Sequence, residues 1–137
     1  MTPRQTTLVQ ESFEQLAPIS RAAAYLFYER LFELDPSVRP LFVGDIHEQG
    51  RKLMQIIAVA VNGLDQFEPL RPAIEELGRS HVAYGVVSEH YAAVGVALLW
   101  TLERCLGEQF TAEVRAAWIE AYDILASTMQ NAAEAAA

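Results

Sequence analysis

The segment Leu77–Val86 reads LGRSHVAYGV and places a histidine, His81, near the end of a predicted helix. A Gly–Val break follows, and a second predicted helix carries Tyr91 ten residues after the histidine. An imidazole at such a helix end has little conformational freedom and faces a crevice, as an axial metal ligand must. A lone helical histidine is more often packed or solvated, so the rest of the chain has to decide between these interpretations.

The length and composition indicate one compact helical domain over residues 1–137. Hydrophobic residues make up 52% of the 137, and the seven glycines and six prolines lie mostly at predicted junctions. This composition favours a packed helical core, and the chain shows no internal repeat. Cys105 is the single cysteine, which excludes an internal disulfide.

The net charge of −8 argues against nucleic acid as a partner and against an anionic membrane surface. The longest apolar runs, Ile56–Val61 and Val94–Trp100, are too short to span a bilayer. The chain does not start with positive charge followed by a hydrophobic stretch, so no signal peptide is predicted. We therefore expect a cytoplasmic protein with no membrane segment.

Cap and break signals divide the chain into six or seven helices, and no segment alternates with the period of a strand. The first predicted helix is capped by Thr7 with Gln10 and ends at Pro18, and the second covers Ile19–Leu34. After a turn at Ser37–Phe42, a third helix runs from Asp45 to about Asn62, and the helix with His81 follows Pro69 and Pro72. The next helix is capped by Ser88 and ends at Gly107, and Thr111 caps the last one.

Apolar residues at helical spacing predict the buried face of three of these helices. The expected faces are Tyr25, Tyr28, Leu31 and Phe32 in the second helix, Tyr91, Val94, Leu98 and Leu102 in the helix after Ser88, and Val114, Trp118, Ala121, Leu125 and Met129 in the last. A four-helix bundle is one all-α architecture of this size. It accounts less well for many short segments followed by two long helices.

An ordered set of residues makes the fold more specific. The set is Asp35-Pro36, Leu41-Phe42, Gln49–Met54, His81 and Tyr91, followed by Trp118 and Tyr122 in the last helix. In this order the chain resembles the single-domain bacterial globins, which are relatives of the haem domain of flavohaemoglobins. The resemblance covers essentially the whole chain. It implies an all-α globin fold of six to seven helices packed around a haem pocket.

The resemblance implies that His81 is the proximal ligand of a haem b. Since Cys105 is alone, the haem would be held non-covalently. One imidazole nitrogen would bond the iron, and the other N–H needs an acceptor. Tyr91 matches a tyrosine that polarises this ligand together with a glutamate, although a half-buried aromatic of the core fits equally well. Ala133 stands at the position of that glutamate, and Glu134 would be turned away by about 100°.

On the opposite side, Tyr28 and Gln49 match the distal pair of the family, which donates hydrogen bonds to bound O₂. Tyr28 could instead be a core residue with its hydroxyl on a backbone carbonyl, and Gln49 could face water. The resemblance also places Phe42 against the porphyrin and Leu53 over it. With Tyr28 and Gln49 in these roles, the two donors would slow the loss of O₂.

Further residues have weaker expectations. Lys52 could meet a haem propionate or lie on a solvated face. Val86 and Val94 would wall the pocket, as would Met54, Ile57 and Leu98. His47 competes with Gln49 for the distal position, but residues two apart do not share a helix face, and an exposed position is expected for it. His90 is expected to face solvent.

The function implied by the resemblance is the binding of O₂ and of other diatomic gases, NO and CO, at a haem. Nitric oxide dioxygenation, which converts NO and O₂ to nitrate, is the chemistry that the family suggests. It needs an electron from a separate reductase. A non-enzymatic O₂ carrier, store or sensor would use the same pocket, and a haem-free interaction module is the alternative from another class.

Overall fold

The computed structural model describes residues 1–42 and 44–136, and 90% of the chain is helical. The six α-helices are α1 (Pro3–Leu16), α2 (Ser20–Leu34), α3 (Ile46–Asn62), α4 (Phe67–Ala83), α5 (Ser88–Leu106) and α6 (Ala112–Ala136). Short 3₁₀-helices lie at Ala17–Ile19, Pro36–Leu41, Leu64–Gln66 and Gly107–Gln109, and no strand occurs in the described ranges. The predicted all-α fold is confirmed. Val43, placed by the sequence at a break, lies outside the described residues.

Most predicted helix ends are confirmed. Asp35, before a proline, ends α2, and the Asp45 carboxylate accepts from the His47 N–H at 2.9 Å to cap α3. Thr111 caps α6, since its hydroxyl accepts from the Val114 N–H at 3.2 Å. The predicted first cap at Thr7 is wrong. Thr2 caps α1 instead, in a capping box with Gln5 that the sequence pattern T-x-x-Q at Thr2 also allowed.

Two further boundaries differ from the prediction. Pro69 and Pro72 do not precede α4 but lie inside it. Pro69 is tolerated because the first N–H groups of a helix have no intrahelical partner. Pro72 lies about one turn later and has no N–H to donate to the preceding turn. Ser88 does not cap α5. The Val87 N–H donates to the His90 ring at 3.1 Å, so a histidine in the first turn provides the side-chain acceptor at the start of this helix.

The core consists of two clusters. The first joins α1, α5 and α6 around Val9, Leu102 and Trp118, and the indole N–H of Trp118 donates to the Ser12 hydroxyl at 2.8 Å. The second surrounds Tyr28, and its other buried members are Phe27, Leu31, Val38 and Ala97. Tyr25, which the sequence placed on the buried face of α2, is 57% exposed. Ala24 and Phe27 are buried in its place, because the buried face of α2 is centred about one residue earlier in the chain.

Two glycines set the close approach of neighbouring helices. A side-chain carbon at Gly78 would lie 2.2 Å from the Met129 carbonyl oxygen, so α4 and α6 pack backbone against backbone. A carbon at Gly50 would meet the Ala24 side chain at 3.0 Å, where α3 crosses α2. By contrast, α3 and α4 hardly touch each other within the described residues. We call the region between these two helices the crevice.

None of the described helices is by itself long and apolar enough to cross a membrane. Segments 64–83 and 88–109 meet those criteria only as a pair, bent by 116° at the break between them.

Candidate functional site

His81 lies in the last turn of α4 and is half-buried. Its Nδ1 is 2.7 Å from the Leu77 carbonyl oxygen one turn earlier. Because a carbonyl can only accept, Nδ1 must carry the proton, and the neutral ring then has its lone pair on Nε2. The Val86 N–H donates to the His81 carbonyl at 3.0 Å, which turns the chain directly behind the imidazole. The ring is thus oriented as a one-nitrogen ligand.

Tyr91, at the start of α5, lies next to this imidazole. The two ring centroids are 6.5 Å apart at 33°. The Tyr91 carbonyl accepts from the Tyr122 hydroxyl of α6 at 2.6 Å, and burial raises the pKa of both phenols. Ala133 is half-buried and Glu134 is exposed, so the carboxylate that could polarise the imidazole points away from the interior. We call Leu77, His81, Val86 and Tyr91 the proximal wall.

Tyr28 is 5% exposed, belongs to the second core cluster, and borders the space between α2 and α3. Its ring packs edge-on against Phe27 and Phe42, at 5.3 and 5.1 Å between centroids, and stacks on Phe32 at 6.0 Å. Its hydroxyl donates to the Gln49 carbonyl at 3.3 Å, longer than an ordinary O–H···O bond. Burial raises the pKa of Tyr28 to about 12.

Gln49 opens a stripe along α3 at helical spacing. Leu53, Ile56 and Ala60 continue this stripe, and Ile56 is 43% exposed although isoleucine is normally buried. Leu53, Phe42 and Val94 all pack against the cluster that contains Tyr28. We call Tyr28, Phe42, Gln49, Leu53 and Val94 the distal wall.

Some predicted pocket residues lie elsewhere. Lys52 is exposed, and its neighbour Arg51 pairs with Glu48 on the surface. Met54 and Ile57 pack against the first core cluster around Trp118 rather than against the cluster of Tyr28. Met54 and Ile57 nevertheless line one small apolar cavity together with Leu53 and Leu98. Their expected contact with the haem, and that of Lys52, stays a prediction.

His47 is exposed, as expected. It lines a groove of about 330 Å³ between α2 and α3, together with Tyr25, Arg21 and Arg51. Because this groove lies on the α2 side of α3, the position of His47 agrees with the expectation that it and Gln49 point in different directions.

A family model for globins matches residues 26–129, which include both walls. The chain belongs to the globin family. Neuroglobin of Danio rerio is 33% identical to this globin, with 94% of the chain and 90% of the relative covered. Neuroglobin-1 of Oncorhynchus mykiss is 32% identical, with 96% and 91% covered.

Solved structures give the same result. An engineered carbene transferase, made from a candidate nitric oxide dioxygenase of Rhodothermus marinus, superposes with a TM-score of 0.88 at 29% identity, covering 99% of this globin and 95% of that chain. A bacterial globin from Campylobacter jejuni has a TM-score of 0.86 at 24% identity, with 98% of each chain covered, and shows the fold alone. The predicted globin fold is confirmed. Globins bind haem and, through it, small gases such as O₂.

The residues of this globin fit a haem on two observations. The orientation of the His81 ring leaves one nitrogen lone pair for an axial bond. The stripe of α3 that borders the crevice is apolar after Gln49, and Ile56 on it lacks full cover by the protein. A flat apolar group with one axial ligand matches both. His81 would hold the iron, while Phe42, Leu53, Val86 and Val94 would contact the ring.

Sequence reasoning missed one residue near the site. His90 is 8% exposed, whereas a solvent-facing position was expected, and this prediction is wrong. Its ring lies between Val87 and the turn at Asp35 and Ser37. The pattern Asp-Pro-Ser at 35–37 signals a turn with a side-chain acceptor. Nothing in the sequence connects that turn with a histidine more than fifty residues later.

Proposed function

We propose that this globin holds a haem b non-covalently on His81 and uses it for nitric oxide dioxygenation with an electron from a separate reductase. The balanced reaction is NO plus O₂ plus one electron giving nitrate. His81 would hold the haem, which when bound would supply the iron chemistry that binds a diatomic gas. The observation that carries the proposal is the buried Tyr28 hydroxyl on the distal wall.

Tyr28 acts as a hydrogen-bond donor to the gas. Since burial raises its pKa to about 12, the hydroxyl stays protonated near neutral pH and cannot act as a base there. Its bond to the Gln49 carbonyl is 3.3 Å long and therefore weak, so the donor can turn to a more polar acceptor at little cost. An O₂ ligand polarised by the haem would be such an acceptor for the Tyr28 hydroxyl, whereas CO would be polarised less.

The other residues of the two walls would orient the bound gas and exclude water from it. Gln49 carries an amide as a second donor at the start of the stripe. Leu53 and Val94 keep water from the gas, because apolar side chains offer it no hydrogen bond. His81 would supply its Nε2 lone pair, while the Leu77 carbonyl accepts a hydrogen bond from Nδ1–H and thereby raises the electron density on the ring.

The first experiment is an absorption spectrum of the purified protein after haem supply. A Soret band is expected, and its absence would favour the haem-free interaction module. Next, the oxygenated protein is mixed with NO in a stopped-flow instrument, and nitrate is counted. Fast conversion with one nitrate per NO supports the dioxygenase. Slow or incomplete conversion contradicts it and leaves an O₂ carrier, store or sensor.

The variant Tyr28→Phe tests the donor itself. A hydrogen bond to a charged acceptor contributes about 1.5–3 kcal/mol, so the O₂ dissociation rate should rise by about 10- to 100-fold. CO dissociation should change much less. Tyr25→Phe is the matched control, since it removes the same hydroxyl from an exposed tyrosine one turn earlier. An unchanged O₂ dissociation rate in Tyr28→Phe would exclude Tyr28 as the donor.

A further inference from the structure

His90 links two distant parts of the chain through a series of hydrogen bonds. Its Nδ1 accepts from the Val87 N–H at 3.1 Å, so in the neutral ring the proton is on Nε2. Nε2 lies 3.3 Å from the Ser37 hydroxyl, which in turn donates to the Asp35 carboxylate at 2.5 Å. Every donor in this series meets an acceptor. We call these three side chains, His90, Ser37 and Asp35, the tie.

The end of the tie at Asp35 is firmly anchored. The Asp35 carboxylate accepts from both the hydroxyl and the N–H of Ser37, the latter at 3.1 Å, and it lies 4.0 Å from His90 Nε2. The hydrogen bond from the Ser37 hydroxyl lowers the pKa of Asp35. Val38, next in the chain, is 3% exposed and fixes the turn against the core.

The other end of the tie lies behind the proposed iron ligand. Val87 follows Val86, whose N–H donates to the His81 carbonyl at 3.0 Å. Tyr91, the residue after His90, is the ring beside the imidazole. His90 therefore fixes the corner that connects His81 with Tyr91. From the Asp35 end of the tie, the 3₁₀-helix Pro36–Leu41 leads to Phe42 of the distal wall.

We propose that His90 is a positioning residue, which holds the corner of His81 at a fixed place relative to the turn that leads to Phe42. The inference rests on the proposed function, since it assigns the tie a role in holding the haem between the two walls. Burial supports it: His90 is 8% exposed, and a buried imidazole that lost either bond would leave a polar atom without a partner. The α3 and α4 helices hardly touch, so their own packing does not fix this distance.

Two isosteric variants separate the halves of the tie. His90→Asn keeps an acceptor at the place of Nδ1 for the Val87 N–H but has no atom near Ser37. His90→Gln keeps a donor near the place of Nε2 but loses the acceptor for Val87. Ser37→Ala breaks the link from its other side. Ser12→Ala is the control, because it breaks a buried bond to Trp118 in the other core cluster.

The readouts are the rate of haem loss to an excess of apomyoglobin and the iron–histidine stretching band in the resonance Raman spectrum of the ferrous protein. His90→Asn and Ser37→Ala should each speed haem loss by about 5- to 10-fold and displace the band, and the double variant should be no faster than either. His90→Gln should lie between these variants and the parent. Ser12→Ala should lower the melting temperature without moving the band, because its effect is structural only.

Rates in His90→Asn and Ser37→Ala equal to the parent's, or effects that multiply in the double variant, would overturn the proposal. A protein without a Soret band would instead contradict the proposed function. In that case the same two single variants and their double variant would be compared by the melting temperature of the haem-free chain. Independent, additive changes would overturn the tie, and a double variant no less stable than the singles would support it.

Discussion

The two walls of the crevice are stabilised in different ways. The distal wall is a packed aromatic cluster in which Tyr28 contacts Phe27, Phe32 and Phe42 at centroid distances of 5.1–6.0 Å. The proximal wall is arranged by hydrogen bonds along the backbone around His81, and by the helix contact at Gly78. The comparison shows that a buried hydroxyl can be fixed by packing, whereas the direction of an imidazole needs specific acceptors.

The largest effect is expected for His81→Gly, which removes the proposed ligand from the proximal wall. Loss of a residue that only orients a metal ligand lowers affinity by about 10- to 100-fold, so loss of the ligand itself should lower haem affinity by more than about 100-fold. Haem titration followed at the Soret band measures it. Added imidazole should restore part of the binding. His47→Gly, at an exposed position, is the control, and equal affinities in both variants would exclude His81 as ligand.

The next largest effect is expected on the free energy of unfolding, when a glycine in each of two helix contacts is replaced by alanine. Gly78→Ala places a carbon against the Met129 backbone, which cannot move without α6, and should lower the free energy of unfolding by about 3 kcal/mol. In Gly50→Ala the new carbon meets the Ala24 methyl group at 3.0 Å, and the better helix propensity of alanine offsets the crowding to within about 1 kcal/mol.

Thermal and urea unfolding of the haem-free protein measure both variants. If Gly50→Ala proves as destabilising as Gly78→Ala, the α2–α3 contact is as rigid as the α4–α6 contact. The proposed difference between the two walls would then be wrong.

A smaller effect concerns the alkaline stability of the distal wall. The pKa of Tyr28 is raised in the folded protein, so its contribution to stability is complete below pH 10 and is lost as the pH rises through about 12. Tyr28→Phe has no group to ionise, and its melting temperature should fall less steeply in this range. Burial also raises the pKa of Tyr122, so some slope remains. A slope identical to that of the parent would contradict the burial of the Tyr28 hydroxyl.

The smallest effect is expected on the stability of the protein at acid pH, through Asp35 of the tie. The pKa of Asp35 is lowered in the folded state, so its contribution to stability is present above its ordinary value of 3.8 and is lost as the pH falls below it. Asp35→Asn should therefore melt at a lower temperature than the parent at neutral pH, and the difference should shrink as the pH falls below 3.8. A constant difference at all pH values would mean that the charge of Asp35 has no part in the tie.

The sequence predicted the packed features of this globin better than its hydrogen bonds. Tyr28, Leu31 and Leu102 are buried as their helical spacing indicates, since an apolar side chain must leave water wherever the helix turns it. The exception, Tyr25, shows that spacing defines a face only to within about one residue, and amphipathic tyrosine tolerates either side.

Hydrogen bonds between distant segments could not be predicted. His90 and Ser37 are far apart in sequence, and their pairing depends on how α5 lies beside α2, which no local pattern contains. The cap of α5 is a local contact that the sequence analysis missed for another reason, since serine is a common capping residue and histidine is not. The position of His81 was predictable, since the break after it and Tyr91 lie on the same short segment. The acceptor at Leu77 follows from the helix itself.

The crevice between α3 and α4 has a consequence for the life of the protein in the cell. When no haem is bound, Ile56 on the α3 stripe is 43% exposed and is accessible to chaperones, proteases and other copies. A ligand that binds the folded state alone raises stability in proportion to the logarithm of its concentration. The abundance of this globin should therefore follow the supply of haem, without any regulator of its gene.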